Sequence, residues 1–259
     1  TQSNSRGKEL KSSLHGDITR REDLRSLPRE FDWVVNCVAS GGGTVEDYRR
    51  TYLLGTRNLL DWLQAAPRKY VYTSSTGVYG QDDGSLVTES DPAMPAAETA
   101  KILVETENVL LKAAAGKNFP AVVLRLAGIY GPERGYWLRQ FLCGEARFEG
   151  DGGRFLNMIH RDDVVGAVIA ALQKASGGSV VNVVDNEPAT QLAVFSWLAQ
   201  RLGKPMPPVA SEAGTILRRR SATNKRVSNL KLRAELGYRL LFPTFREGYE
   251  AELARLAEL

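Results

Sequence analysis

Short apolar runs alternate along this sequence with segments of helical period, and no other feature constrains the fold as strongly. The segments are Trp33 to Val38, Val45 to Ala65, Tyr70 to Thr73, Ala97 to Ala114, Ala121 to Leu126, Asp162 to Leu172 and Val180 to Val184. The order is β, α, β, α, and parallel strands joined by crossover helices are what such an order builds. The expected class is therefore α/β, a doubly wound parallel sheet with helices on both faces. The runs WVVNCV and AVVLRLA are almost continuously apolar, the pattern of strands covered on both sides, and are expected near the sheet centre.

From Gly131 the pattern loosens into GEARFEGDGGRF, and after Asn186 it becomes short helices with a basic loop. These two insertions, 134–159 and 187–259, are expected to form a second, smaller lobe, with 1–133 and 160–186 forming the main domain. Thr244 and Glu247 have the spacing of a capping box and mark the start of a last helix running to Leu256. No internal repeat or low-complexity linker interrupts the 259 residues, enough for one large or two modest domains.

Composition excludes several classes. Two cysteines, Cys37 and Cys143, lie far apart in apolar segments, which suits reduced thiols packed as small hydrophobes better than a secreted disulfide framework. A cytoplasmic address is the expectation. No apolar run approaches the length of a membrane span, and no set of histidines and cysteines has metal-ligand spacing. The net charge is +4, with a local basic excess from Arg218 to Arg233. That stretch suits a solvated face or an anionic small molecule; no nucleic-acid reader motif accompanies it, so nucleic acid is not an expected partner.

Three motifs stand at expected strand ends: His15-Gly16-Asp17-Ile18, Val34-Val35-Asn36-Cys37-Val38-Ala39 and Val71-Tyr72-Thr73-Ser74-Ser75-Thr76-Gly77-Val78-Tyr79-Gly80. Ligands of open α/β sheets bind beyond the carboxyl ends of the strands, so the three should converge on one crevice. The sequence contains no G-x-G-x-x-G, and its opening TQSNSRGKELKSSLHGDIT is polar. The first βα unit is therefore expected to be missing from this sequence, with an upstream segment in the whole protein. Gly41-Gly42-Gly43 lacks the spacing that wraps a pyrophosphate and reads as a flexible turn.

Together these motifs resemble the extended short-chain dehydrogenase/reductase family of NAD(P)-dependent epimerases, dehydratases and reductases, from about Asp17 to Glu187. YTSSTGVYG is similar to that family's strand bearing the active-site hydroxyl, and LGTRNLL, Leu54 to Leu60, to the helix motif before it. Leu124-Arg125-Leu126 with Ile129-Tyr130-Gly131-Pro132 resembles the turn into the substrate lobe, and Met158 to Val164 the helix start beyond it. The resemblance implies a Rossmann-like fold, and NAD or NADP held by Asp17, Ile18, Asn36, Cys37, Val38, Ala39, Thr73, Ser74, Lys101, Ala127 and Ile129. Ser3 and Arg6 are placed to meet a 2′-phosphate or to be solvated. Ser75 takes the place of the catalytic hydroxyl. Ser75, Thr76, Arg154, Asn157 and His160 are expected to face a small, anionic substrate, and the family's habit of pairing helices allows a homodimer.

That family's chemistry uses Y-x-x-x-K, in which the lysine lowers the phenol's pKa so that it can shuttle a proton. The register read from the resemblance gives Ala97-Glu98-Thr99-Ala100-Lys101: the lysine is kept and the tyrosine is alanine, as in the family's atypical subgroup. Lys101 either holds the nicotinamide ribose or pairs on the helix surface. Tyr79, Glu98 and His160 are the candidates to replace the tyrosine, with core packing the alternative for Tyr79 and a helix-start hydrogen bond the alternative for His160. Two functions follow: an oxidoreductase or epimerase/dehydratase-like enzyme acting on a small carbonyl, hydroxyl or sugar-nucleotide substrate, or a sensor or scaffold that binds NAD(P) without turnover.

Overall fold

The computed structural model describes residues 14–148, 150–210 and 223–258. Ser3, Arg6 and the Arg218 to Arg220 part of the basic stretch lie outside the described residues.

The strands through residue 183 are β1 (Trp33–Asn36), β2 (Lys69–Ser75), β3 (Leu86–Val87), β4 (Ala121–Leu126), β5 (Gly128–Tyr130), β6 (Phe155–Leu156), β7 (Met158–His160) and β8 (Val180–Val183), and four of them form the central parallel sheet in the order β1, β2, β4, β8. The register aligns Asn36 with Tyr72 and Ser75 with Leu126, so the carboxyl ends of β1, β2 and β4 open on the same side. Every residue of β4 is buried, as its apolar run requires. β1 differs: among the described residues it is an edge strand, and Trp33 and Val35 are 50 and 40% exposed. The central position expected for Trp33 to Val38 is therefore not seen among the described residues, and the exposure of Trp33 and Val35 differs from the coverage on both faces that the apolar run predicts. His15 to Ile18, expected to close a short strand, are irregular chain leading into a turn, and the residues in front of Leu14 lie outside the described ones.

After a short first helix, α1 (Arg21–Leu24), helices cover both faces of the sheet. The odd-even alternation of β2 and β4 sends Tyr70, Tyr72, Ala121 and Val123 to one side, against α3 (Gly55–Trp62) and α4 (Glu98–Lys117). Val71, Val122 and Leu124 go to the other, against Ala167, Ala170 and Ala171 of α6 (Arg161–Lys174). The expected helix from Val45 is continuous but not uniform: α2 (Val45–Tyr48) passes through a π-helical segment, Arg49–Leu54, into α3. Its start is a capping box between Thr44 and Asp47.

A separate apolar cluster forms from the two insertions. Leu138 and Phe141 of α5 (Tyr136–Leu142), Phe195 and Leu198 of α7 (Gln191–Leu202), and Phe245 and Tyr249 of the last helix, Phe245–Ala257, are its centre. The Thr244 and Glu247 capping box is present at the head of that helix. Gly248 lets it approach Tyr130, whose ring a side chain at that position would overlap. Among the described residues no helix is long and apolar enough to cross a membrane.

Candidate functional site

A cavity of about 550 Å³ opens at the carboxyl ends of β1, β2 and β4. Cys37, Val38 and Ala39 line it after β1, Thr73, Ser74 and Ser75 from β2, and Ala127 and Ile129 after β4, with Val164 and Val168 of α6 opposite. Eight of the residues expected to bind cofactor or substrate thus meet in one place. Cys37 and Cys143 are both exposed, which corrects the expectation of packed thiols.

The hydroxyls of β2 have different fates. Ser74 turns inward and its Oγ donates to Glu107 Oε1 at 2.5 Å. Thr73 Oγ1 donates to the Asn36 carbonyl at 3.4 Å. Ser75 accepts from the Gly77 amide at 3.0 Å, which fixes its oxygen; no acceptor for its own proton occurs among the described residues. Tyr52, from the π-helical segment, is in the same position: it lines the cavity and accepts from the Ser40 amide at 3.2 Å, with its proton uncommitted among the described residues. The sequence reading did not single out Tyr52. The available signal was its place, one helical turn after Tyr48 on the segment that follows the β1 turn, and π-helical insertions recur at functional sites.

Several expected site residues are engaged elsewhere. Tyr79 is fully buried; its hydroxyl donates to Asn182 Oδ1 at 2.8 Å and accepts from Arg125 Nη1 at 2.8 Å. Burial holds its pKa above the ordinary phenol value despite the nearby guanidinium. Of its two readings, proton donor and core packing, Tyr79 has the surroundings of the second. Asn36 is buried and spends its amide on Tyr70 and Thr56, bracing β1 internally. Thr76 is buried at the turn. Asn157 is a clamp: its amide donates to the Lys225 carbonyl and accepts from the Val227 amide, tying the C-terminal insertion to the strand beside it. Arg154 donates to the Thr223 carbonyl at 3.2 Å. His160 is buried, accepts from the Asp162 amide to cap α6 and stacks on Phe242 at 3.9 Å between ring centroids. It does not line the cavity, and of its two readings the helix-start hydrogen bond is the one present.

Asp17 is exposed and outside the cavity lining. Its carboxylate accepts from the Thr19 amide at 2.8 Å, which holds its pKa below the usual range. Ile18 is fixed by Asn58, which donates to its carbonyl at 2.9 Å, and by Gly55, where any side chain would overlap Ile18. The helix motif LGTRNLL therefore positions the Asp17-Ile18 turn.

Lys101 takes the second of its two readings, a pair on the helix surface. Its ammonium pairs with Glu98 at 2.7 Å, its side chain is half exposed, and it does not line the cavity. Ala97 is the N-cap of α4. The helix face turned to the sheet carries Ala100, Leu103, Thr106, Glu107 and Leu110, all buried, with Thr99 one turn before Leu103. A tyrosine and lysine one turn apart on that face would occupy 99 and 103, where this chain has threonine and leucine. Neither an ammonium nor a phenol reaches the site from α4.

The model of the NAD dependent epimerase/dehydratase family matches residues 1–184. The chain belongs to that family. It is similar to Protein YeeZ of Escherichia coli strain K12, 28% identical over 227 residues, 86% of this chain and 75% of that protein. A structure of a conserved protein from Silicibacter pomeroyi is 32% identical with a TM-score of 0.70, covering 86% of this chain and 77% of that one. DesIV, a dTDP-glucose 4,6-dehydratase from Streptomyces venezuelae solved with NAD, shares the fold at a TM-score of 0.79 and 22% identity, over 94% of this chain and 79% of its own. This chain has the Rossmann-like α/β architecture of these two solved structures.

Proposed function

We propose that this protein binds NAD or NADP in the strand-end cavity and works there as an oxidoreductase or epimerase/dehydratase-like enzyme on a small carbonyl, hydroxyl or sugar-nucleotide substrate. The observation that carries the reading is the pairing of Ser75 and Tyr52, two hydroxyls in one cavity, each oriented by a backbone amide and each with its proton uncommitted among the described residues. Membership of an NAD dependent family supports the cofactor. The residues fit the nucleoside parts of such a group: small side chains at Ala39 and Ala127 admit close approach, and Val38, Ile129, Val164 and Val168 provide apolar walls. The sequence offers no glycine-rich cradle for the pyrophosphate.

When bound, a nicotinamide supplies hydride transfer. The chain's own residues do the rest. Cys37, Val38 and Ala39 would border the ribose, and Ala127 and Ile129 the nicotinamide, with Asp17 and Ile18 toward the adenine. Ser75 would donate its hydrogen bond to the substrate oxygen, and the Tyr52 phenol would move the proton that the vacant α4 position cannot. Titration of NADH and NADPH into the full chain, followed by a carbonyl and sugar-nucleotide panel, tests this. Binding with turnover that Ser75→Ala and Tyr52→Phe reduce supports it; absence of binding to either nucleotide removes it.

A second reading, a nucleotide-binding sensor without turnover, is favoured by one observation: the sheet-facing side of α4 presents Thr99 and Leu103 in place of a proton-moving pair. It calls for binding without turnover across the same panel.

A further inference from the structure

A second cavity, of about 530 Å³, adjoins the first and shares two lining residues with it, Ile129 and Arg134. Its walls combine apolar side chains of α5 and the last helix with three guanidiniums, Arg134, Arg139 and Arg255, and two carboxylates, Glu133 and Glu252. Arg255 is committed to Glu252, at 3.1 Å from Oε2. Arg134 and Arg139 have no side-chain partner among the described residues, against the single exposed carboxylate of Glu133.

The backbone that presents Arg134 is built tightly. Gly131 and Arg134 exchange two backbone hydrogen bonds, at 2.9 and 3.2 Å, closing a turn in which Glu133 adopts a left-handed conformation with φ of 62°. A non-glycine residue there stores strain that the surrounding contacts must hold. Gly131 itself has φ of 138° and abuts His160 and Arg161, so the turn is anchored against the start of α6. Arg134 is thereby held where the two cavities join.

We infer that this second cavity seats an oxyanion of the substrate, a phosphate or a carboxylate carried on an apolar body, with Arg134 and Arg139 as its partners. The inference rests on the reading above that the first cavity takes the cofactor, and it names the substrate class of that site: an anionic molecule reaching from Ser75 past Arg134. Guanidinium groups suit this because they donate in pairs to planar and tetrahedral oxyanions.

The two exposed cysteines give each cavity its own reporter, Cys37 in the first and Cys143 in the second. The test is the alkylation rate of each thiol by N-ethylmaleimide in the full chain, resolved by peptide mass spectrometry. Phenyl phosphate and benzoate are added as the two anionic probes, and benzyl alcohol as the neutral one. The expected result is that one or both anions slow modification of Cys143, with the stronger of them identifying phosphate or carboxylate, and that benzyl alcohol does not. Arg134→Gln and Arg139→Gln, both at exposed positions, should each raise the concentration needed about tenfold. An unchanged Cys143 rate with both anions, equal protection by benzyl alcohol, or protection that survives both substitutions overturns the inference. NADH slowing Cys37 while Cys143 stays unprotected would defeat the anion site and leave the cofactor reading standing. NADH leaving Cys37 unchanged would defeat the cofactor reading, and with it the substrate role of any anion bound beside Cys143.

Discussion

Glu107 and Arg125 meet between α4 and the sheet with almost no solvent exposure, Nη2 to Oε2 at 2.7 Å and Nε within 3.2 Å of both carboxylate oxygens. Ser74 completes the carboxylate's partners and Tyr79 takes a further guanidinium proton, so the pair locks β2 to β4 directly behind the cavity. A buried pair of this kind contributes little over an apolar equivalent, but breaking it leaves a charge with no partner. Glu107→Ala should therefore cost about 3–5 kcal/mol in urea unfolding. The double variant Glu107→Leu with Arg125→Met should recover most of that loss; a double variant as unstable as the single would contradict the argument.

Tyr79→Phe separates a structural role from a chemical one. The substitution removes a phenol that bridges Arg125 and Asn182 and leaves both buried groups short of a partner. Stability should fall by roughly 1–3 kcal/mol, read from the denaturation midpoint. Turnover by the folded variant should be unchanged, whereas a large loss of kcat at unchanged stability would return Tyr79 to the site.

The fold was legible in the sequence because burial writes itself as periodicity: β4, α4, α6 and the Thr244 capping box lie where the apolar pattern puts them. The strand-end convergence of Cys37 to Ala39 with Thr73 to Ser75 was legible for the same reason, since strand order fixes which ends meet. What was not legible was orientation. Lys101 and Leu103 differ by two positions, about 200° around a helix, and only packing decides which of them meets the sheet. His160, Asn157 and Asn36 have functional-looking chemistry, but each is consumed by a backbone group or a buried neighbour that sequence spacing does not reveal. Tyr52 was hidden for the converse reason: a π-helical segment shifts the side-chain positions that an α-helical period would give.

Ser75→Ala and Tyr52→Phe are expected to act on turnover and not on cofactor affinity. Each removes an uncommitted hydroxyl while keeping the cavity's apolar walls. General acid or base groups contribute typically about 10²- to 10⁴-fold, so kcat should fall within that range for Tyr52→Phe, while the Kd for NADH changes less than about threefold. Equal losses in both quantities would mark a shape effect instead.

Lys225 makes the stability of the fold depend on alkaline pH. Its ammonium is buried and donates to the Tyr79 carbonyl at 3.0 Å and Thr223 Oγ1 at 2.9 Å, with no carboxylate paired to it among the described residues. Burial, aided by the nearby Arg154 charge, brings its pKa down from 10.5 to about 8. The folded protein therefore releases this proton near pH 8, while the unfolded chain keeps it to about 10.5. Between those values the unfolded state binds more protons, so stability rises with pH; below about 8 the folded state bears the whole cost of the buried charge. Lys225→Met removes the titration together with two hydrogen bonds to neutral acceptors. The difference in unfolding free energy between the wild-type chain and Lys225→Met should consequently move in favour of wild type by about 2 kcal/mol from pH 7 to pH 9.5. The comparison cancels titrations common to both proteins. Parallel pH profiles would mean that the Lys225 ammonium is solvated or paired in solution, and that its contacts with Tyr79 and Thr223 do not bury its charge.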